Sequence, residues 1–233
     1  MHTLLRACLA AVISLASLPL KADEGWSFAV TPYLWLPNVD GTLKYSGGGP
    51  DVGVGPNNYL ENLSAALMLS GEARKGKWSI VSDLIYLDFE NERGPNAGAT
   101  SSLDGLQWML AAGYTAARTP RLVVDVLGGV RYLGIEASTD PGGLSERTDL
   151  WDAIIGVRGR LRLGESQWFM PFHLDLGAGS SAFTWQGLLA ISYAFKWGDA
   201  MLGYRHLNYD QSDDKLFQDF RFSGPTLGAT FRF

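Results

Sequence analysis

The last eleven residues, Ser223 to Phe233, constrain the fold more than any other stretch of the chain. Leu227, Ala229, Phe231 and Phe233 fall on one parity, and Thr226, Gly228, Thr230 and Arg232 on the other. A period of two, with one apolar and aromatic face and one small or polar face, is the pattern of a β-strand. The strand ends on its aromatic residue with no tail to cover it. A water-soluble sheet rarely leaves such a strand at an open edge, where unpaired N–H and C=O groups recruit other chains. What surrounds the strand has to be read from the rest of the sequence.

Upstream, no helical period lasts longer than a turn or two, and strand-like segments recur with alternately short and long polar connections. The spacing predicts strands at about 26–36, 64–74, 78–89, 106–116, 121–135, 150–163, 168–177, 184–196 and 200–209, followed by the terminal strand. Tight turns are expected at Lys75-Gly76-Lys77, Arg118-Thr119-Pro120, Gly164-Glu165-Ser166 and Trp197-Gly198-Asp199. Longer loops are expected at 37–62, 90–101, 136–146 and 210–215, and the first is long enough to contain a further hairpin. About ten strands, with short turns on one side and long loops on the other, predict an all-β, transmembrane, antiparallel up-and-down barrel, with both termini on the short-turn side. Eight or twelve strands are also compatible with these spacings.

The faces decide the environment. Trp185, Leu189, Ile191, Tyr193, Phe195 and Trp197 oppose Gln186, Leu188, Ala190, Ser192, Ala194 and Lys196. Trp151, Ala153, Ile155, Val157 and Leu161 oppose Asp152, Ile154, Gly156, Arg158, Arg160 and Arg162. The bulky set does not fit inside a ten-strand barrel, whereas the small and charged set does. The bulky face therefore points outward, which only lipid or detergent favours. The tryptophans point the same way. Trp26, Trp78, Trp168 and Trp197 fall at short-turn ends, and Trp35, Trp108, Trp151 and Trp185 at or near the other ends, as two interfacial girdles require. Trp26 and Trp35 have opposite parity, so either one faces inward or Pro32 marks a bulge.

Composition and targeting agree with this reading. With 233 residues, 46% hydrophobic, and a mean hydropathy of +0.01, the chain does not resemble a bundle of membrane helices. The apolar run from Ala7 to Leu20, followed by Lys21-Ala22, reads as a secretory signal cleaved after Ala22. That leaves residues 23–233 as a single barrel domain. The sole cysteine, Cys8, lies in the signal, so the mature chain has no thiol for a disulfide, a metal or a nucleophile. A net charge of −5 gives no basic footprint for nucleic acid.

Several segments resemble a group of uncharacterised proteobacterial outer-membrane barrel proteins, in the style of the small OmpA, OmpX and OmpW-type barrels. They are Pro32-Tyr-Leu-Trp-Leu-Pro37 with Val39-Asp-Gly-Thr42, Glu72 to Trp78, and Asp83-Leu-Ile-Tyr-Leu-Asp88. Thr184-Trp-Gln186, Leu202-Gly-Tyr-Arg205 and Ser223 to Phe233 complete the set. The resemblance implies an integral protein of the Gram-negative outer membrane, in contact with its lipid and lipopolysaccharide. It also implies that the barrel-assembly machinery reads the C-terminal strand through Leu227, Phe231 and Phe233. It implies no activity.

The inward parity collects Glu72, Arg74, Asp83, Asp125, Arg131, Asp152, Arg158, Arg160, His173, Asp175, Lys196 and Arg205. In a narrow lumen such charges are expected to pair across strands and plug the interior, so that Arg158→Ala destabilises the barrel. The alternative is a selective water-filled path for small solutes. The expected girdle residues are Trp78, Trp108, Trp151, Trp168, Trp185 and Trp197. A lipid-modifying enzyme or protease is the remaining alternative, and its motifs are incomplete. His206-Leu-Asn208 has Asn where a His-x-Ser deacylase element has its serine. The acids Asp210, Asp213 and Asp214 do not supply an omptin-like order. His206 shares parity with Leu202 and Tyr204 and reads as an interfacial ring. Val52-Gly-Val-Gly-Pro56 lacks the strand-to-helix setting of a nucleotide site, and the three histidines show no ligand spacing. The sequence therefore predicts a non-enzymatic barrel with a narrow or plugged lumen that presents loops outward, without cofactor or metal.

Overall fold

The computed structural model describes residues 25–43, 52–53, 63–91, 100–140, 144–211 and 217–233. The expected signal segment, including Cys8, lies outside them, as do His2, Pro56, Asp213 and Asp214. Among the described residues every regular element is a strand. In chain order these are β1 (Trp26–Trp35), β2 (Asn38–Leu43), β3 (Val52–Gly53), β4 (Leu63–Lys75), β5 (Trp78–Asn91), β6 (Thr100–Arg118) and β7 (Leu122–Asp140). β8 (Leu144–Arg162), β9 (Trp168–Gly179), β10 (Phe183–Ala194), β11 (Gly198–Asp210) and β12 (Phe217–Arg232) complete the sheet.

From β4 to β12 each strand pairs antiparallel with the next in the chain, and β1 pairs with both β4 and β12, closing a ten-strand up-and-down barrel. The terminal strand thus has no free edge. Phe233 completes the seam by exchanging backbone hydrogen bonds with Phe28, at 2.9 and 3.1 Å. The tight turns expected at 75–77, 118–120 and 164–166 fall in place, whereas the one expected at 197–199 comes earlier, at 195–197, because β11 already begins at Gly198. At 76–77, Gly76 has a φ of +60°, which a two-residue hairpin turn requires at its first position.

Following the register round the barrel links Ala29, Glu72, Val81, Ala111, Gly129, Ile154, Gly177, Thr184, Tyr209 and Phe220 in succession. The path returns at Gly41, a shift of 12 residues from Ala29 (41 less 29). With strands about 4.8 Å apart and rising about 3.3 Å per residue, that shear gives a tilt of about 40° and a backbone radius of about 10 Å. Inward side chains from opposite walls meet across such a lumen.

The strands differ from expectation mainly in length. β6, β7 and β8 each run 19 residues, so the loop expected at 136–146 is largely hairpin stem, and strand pairing enters the loop expected at 90–101 from both ends, at 90–91 and 100–101. At that tilt, 19 residues rise about 48 Å, well beyond the ~30 Å of a hydrocarbon core. The extensions carry Ser, Thr and Asp, since strand pairing needs only backbone groups once the strand has left lipid. The expected loop 37–62 contains β2, which continues β1 past Leu36-Pro37 and pairs with β12.

Outward residues form an apolar belt on all sides, with Ile80, Ile155, Leu189, Leu202, Tyr204 and Leu227 each more than half exposed. So continuous an apolar surface is unfavourable in water and is what a lipid-embedded barrel presents. Rings gather at both borders of the belt. At the short-turn end, Trp78 meets Tyr114 edge-on at 5.0 Å. There too Trp168, Tyr193, Phe195, Trp197 and Phe231 form a chain of ring contacts between 4.7 and 5.4 Å. At the opposite, rim end, Trp151 packs on Trp108 and Tyr132, at 6.5 and 4.8 Å, and Trp185 on His206 at 4.4 Å. The six expected girdle tryptophans thus divide between the two borders. Trp26 lies outward beside Phe28 at 6.1 Å, but Trp35 is 2% exposed and inward. No bulge is involved, because the register of β1 against β4 runs unbroken through Pro32.

Candidate functional site: the lumen

The inward faces stack two layers. The half nearer the short turns is polar. Arg74 reaches Asp125 and donates to Glu72 at 2.8 Å and to Thr115 at 2.8 Å. Arg158 bridges Glu72 and Asp125, the latter at 3.7 Å, so two arginines and two carboxylates share one network. Farther towards the rim, Arg205 donates to Asp83 at 2.8 Å, to Gln186 at 2.8 Å and to the Tyr33 hydroxyl at 2.8 Å. Tyr33 in turn donates to Asp83 at 2.9 Å. Arg131 pairs with Asp175, whose other oxygen lies 2.6 Å from His173 Nε2. Both the Arg131 and the Asp175 side chains have 0% exposure.

Strand geometry sets these contacts. Period-2 alternation aims Asp83, Asp125, Arg131, Asp175 and Arg205 at the axis, and a ~10 Å radius brings opposite walls within reach of an arginine. Each desolvated guanidinium then needs acceptors on several sides, which Thr184 supplies to Arg131 at 3.1 Å.

Three expected members of the network lie elsewhere. Lys196 is exposed in the turn at 195–197, because β10 ends at Ala194 and Phe195 N already bonds to Gly198 O at 2.7 Å. Arg160 has inward parity but sits exposed at the short-turn mouth, with its guanidinium 5.5 Å from the Phe169 ring centre. Asp152 is 2% exposed, yet its Oδ1 accepts from Ser181 N at 2.8 Å and caps the turn of the β9–β10 hairpin. Its cross-strand neighbour Arg131 turns away to Asp175. Tyr33, Thr115, Gln186 and the Arg232–Asp199 pair were absent from the sequence expectation and belong to the polar layer.

The rim half of the lumen is apolar. Trp35, Met68, Ile85, Leu133, Leu150, Leu207, Tyr209 and Phe220 form one buried cluster. A second apolar group, Val81, Met109, Ala111, Leu127 and Ile154, lines the wall formed by β5 to β8. Arg205 joins the layers, its guanidinium 4.9 Å from the Trp35 ring centre. This cluster corrects the expectation that only small and charged residues face the axis. Its signal is present in the sequence, since Leu67-Met68, Leu84-Ile85, Tyr132-Leu133 and Leu150-Trp151 are apolar on both parities.

Outside the lumen, His206 Nδ1 lies 2.5 Å from Ser223 Oγ while its ring packs on Trp185. Above the girdle, Arg147 contacts Asp149 at 3.1 Å and Glu136 at 3.9 Å, and Asp149 also accepts from the Tyr132 hydroxyl. The Tyr132 bond first, and Arg147 second, hold the Asp149 carboxyl below the usual carboxylate range. Among the described residues, no group of three or more His, Cys, Asp or Glu side chains is placed to hold a metal ion.

No family model matches the chain, and no curated protein matches it. Solved structures do. The attachment invasion locus protein Ail of Yersinia pestis, in complex with the heparin analogue sucrose octasulfate, is 14% identical with a TM-score of 0.40. The match covers 91% of this chain and 100% of Ail. The translocator domain of the autotransporter NalP from Neisseria meningitidis is 14% identical with a TM-score of 0.43, over 100% of this chain and 96% of that domain. The toluene transporter TodX of Pseudomonas putida is 10% identical with a TM-score of 0.34, over 96% of this chain and 93% of TodX. Likeness at this level carries nothing about activity.

Chemically, the lumen is a set of paired charges beneath an apolar cap. Its arginines and carboxylates are bound to one another, and the space above them is taken by rings and aliphatic side chains.

Proposed function

We propose that this chain is an integral barrel of the Gram-negative outer membrane with a closed lumen, and that it serves as a non-enzymatic platform presenting its long outer strands and loops. The burial of the Arg131–Asp175 pair carries the reading, because a water-filled path would leave one of these side chains wet, and both have 0% exposure. The apolar cluster between that pair and the rim supports it. The continuous outward belt supports insertion in lipid. The terminal strand, with Leu227 59% exposed and Phe233 closing the seam against Phe28, suits recognition by the barrel-assembly machinery. Lipopolysaccharide is the expected neighbour of the rim-end girdle.

Planar-bilayer recording tests the closed lumen. Purified protein inserted at high salt should give no discrete conductance steps. Reproducible ohmic steps that disappear when the protein is omitted would refute the reading in favour of a small-solute channel.

A further inference from the structure

At the short-turn mouth the lumen face carries arginines without matching acids. β8 places Arg158, Arg160 and Arg162 at alternate positions, hence on one face. Only Arg158 is neutralised, by Glu72 and Asp125, one step deeper in the lumen. The Arg121 carbonyl accepts from Arg162 N at 2.7 Å, which carries the β7–β8 register one step past Leu122–Leu161. Arg121 and Arg162 therefore stand directly opposite on the lumen side, roughly 5 Å apart, an arrangement in which like charges are destabilising.

More arginines surround this pair. Arg118 of β6 shares a register row with Arg160 through Val123. Arg232 of β12, and then Arg162 and Arg118, are near enough to repel the Arg160 guanidinium. Asp199 is near enough to attract it, but that carboxylate is already paired with Arg232. Among the described residues, Arg118, Arg121, Arg160 and Arg162 form no ion pair, and neither Glu165 in the adjoining turn nor the Phe233 carboxylate pairs with them. All four are exposed. Stacking on Phe169 at 5.5 Å holds the Arg160 plane in the mouth.

We infer that the short-turn mouth binds a soluble, multiply charged phosphate between Arg121, Arg160 and Arg162, with Arg118 and Arg232 around it. A guanidinium presents a planar fork of donors that matches phosphate oxygens two at a time. One phosphate puts more than one negative charge on a single centre, so it can serve two opposed arginines at once, which a single carboxylate cannot neutralise. The ligand comes from solution because these arginines face the axis, whereas lipid lies outside the wall. Lys75 and Lys77, over the outward rings of Trp26 and Tyr114 at 5.6 and 5.9 Å, are the cations placed for lipid head groups. The inference needs the barrel but not the closed lumen.

Calorimetric titration with inorganic pyrophosphate tests it, with the protein in phosphatidylcholine nanodiscs and empty discs as baseline. Saturable binding is expected, weakened at least about 10-fold in Arg160→Gln with Arg162→Gln, since each change removes a charge-assisted contact. Arg121→Gln alone should weaken it in the same direction, which keeps the test decisive if the double variant does not fold. Lys75→Gln with Lys77→Gln removes the same charge from the same end but on the lipid side, and should leave binding unchanged. The ratio of wild-type to double-variant affinity should also hold in discs containing phosphatidylglycerol, whose diffuse repulsion acts on both proteins alike. No saturable binding by folded wild type, or an equal loss in the lysine and arginine variants, would overturn the site. A ratio falling towards one in phosphatidylglycerol would overturn the soluble ligand in favour of lipid head groups.

Discussion

Removing one member of the Arg131–Asp175 pair should destabilise the barrel more than any other single charge deletion in the lumen. Both side chains are at 0% exposure, so solvent gives neither any screening. In Arg131→Met, the Asp175 carboxylate keeps only His173, 2.6 Å away, and Thr184 Oγ loses the guanidinium at 3.1 Å. Breaking a buried pair from one side costs about 3–5 kcal/mol, mostly the penalty of leaving the other charge dry. Against a typical domain stability of about 5–15 kcal/mol, that is a large fraction. Removing both charges has a different outcome. Arg131→Met with Asp175→Leu leaves no orphan charge, and such replacements are neutral or stabilising by about 1–4 kcal/mol. The assay is equilibrium urea unfolding of barrels folded in lipid vesicles, followed by tryptophan emission. The single variant should lose about 3–5 kcal/mol, and the double variant should recover most of it. A single variant within about 1 kcal/mol of wild type would refute the reasoning, as would a double variant worse than either single one.

Three further outcomes follow from other parts of the barrel. Ile155 is 69% exposed and lies midway along β8 between Trp151 and the short turn, so Ile155→Arg should cost about 2–4 kcal/mol in the same assay. No loss there would mean that this face does not meet hydrocarbon. Arg158→Ala should cost less, about 1–2 kcal/mol, between the exposed and buried limits, because Arg158 is 20% exposed and Glu72 and Asp125 keep Arg74. A loss equal to that of Arg131→Met would contradict this ranking. Asp149 is held low by Tyr132 and Arg147, so its stabilising contact is complete above the unfolded carboxyl value of about 3.9 and fades as pH falls through the lower folded value. Its carboxyl carbon shift in micelles should titrate below about 3.9 and move back towards it in Tyr132→Phe; a midpoint at or above that reference would remove the contact.

Alternation made the barrel legible, and it also limited the reading. In β8 and β10 the sequence separates two faces cleanly, and the structure turns Trp151, Ile155, Leu189 and Ile191 outward and Asp152, Gln186 and Ser192 inward. Strand ends were less legible, because the stems of β6 to β8 leave lipid and lose the apolar face while keeping their backbone pairing. Lys196 shows the converse, since its alternation continues on paper past the point where a turn has ended the strand. Ion-pair partners were not legible. Arg131 stands beside Asp152 in the register but bonds to Asp175 two strands away, a choice set by chords across the lumen that one-dimensional spacing does not contain.

The apolar cap explains why those chords are dry. An inward charge needs a water-free lumen before its pairing becomes stringent, and in a barrel of about 10 Å radius water is excluded only if large side chains fill one end. Trp35, Tyr209 and Phe220 do so at the rim, and Arg205 lies where the two media meet, with its face against Trp35 and its nitrogens on Asp83, Gln186 and Tyr33. A guanidinium suits that boundary because its plane tolerates an aromatic surface while its edge demands acceptors. The cap and the ion pairs therefore depend on one another. Thinning the cap with Trp35→Ala would remove the ring from the face of Arg205, admit water to the guanidinium and weaken its pairing with Asp83.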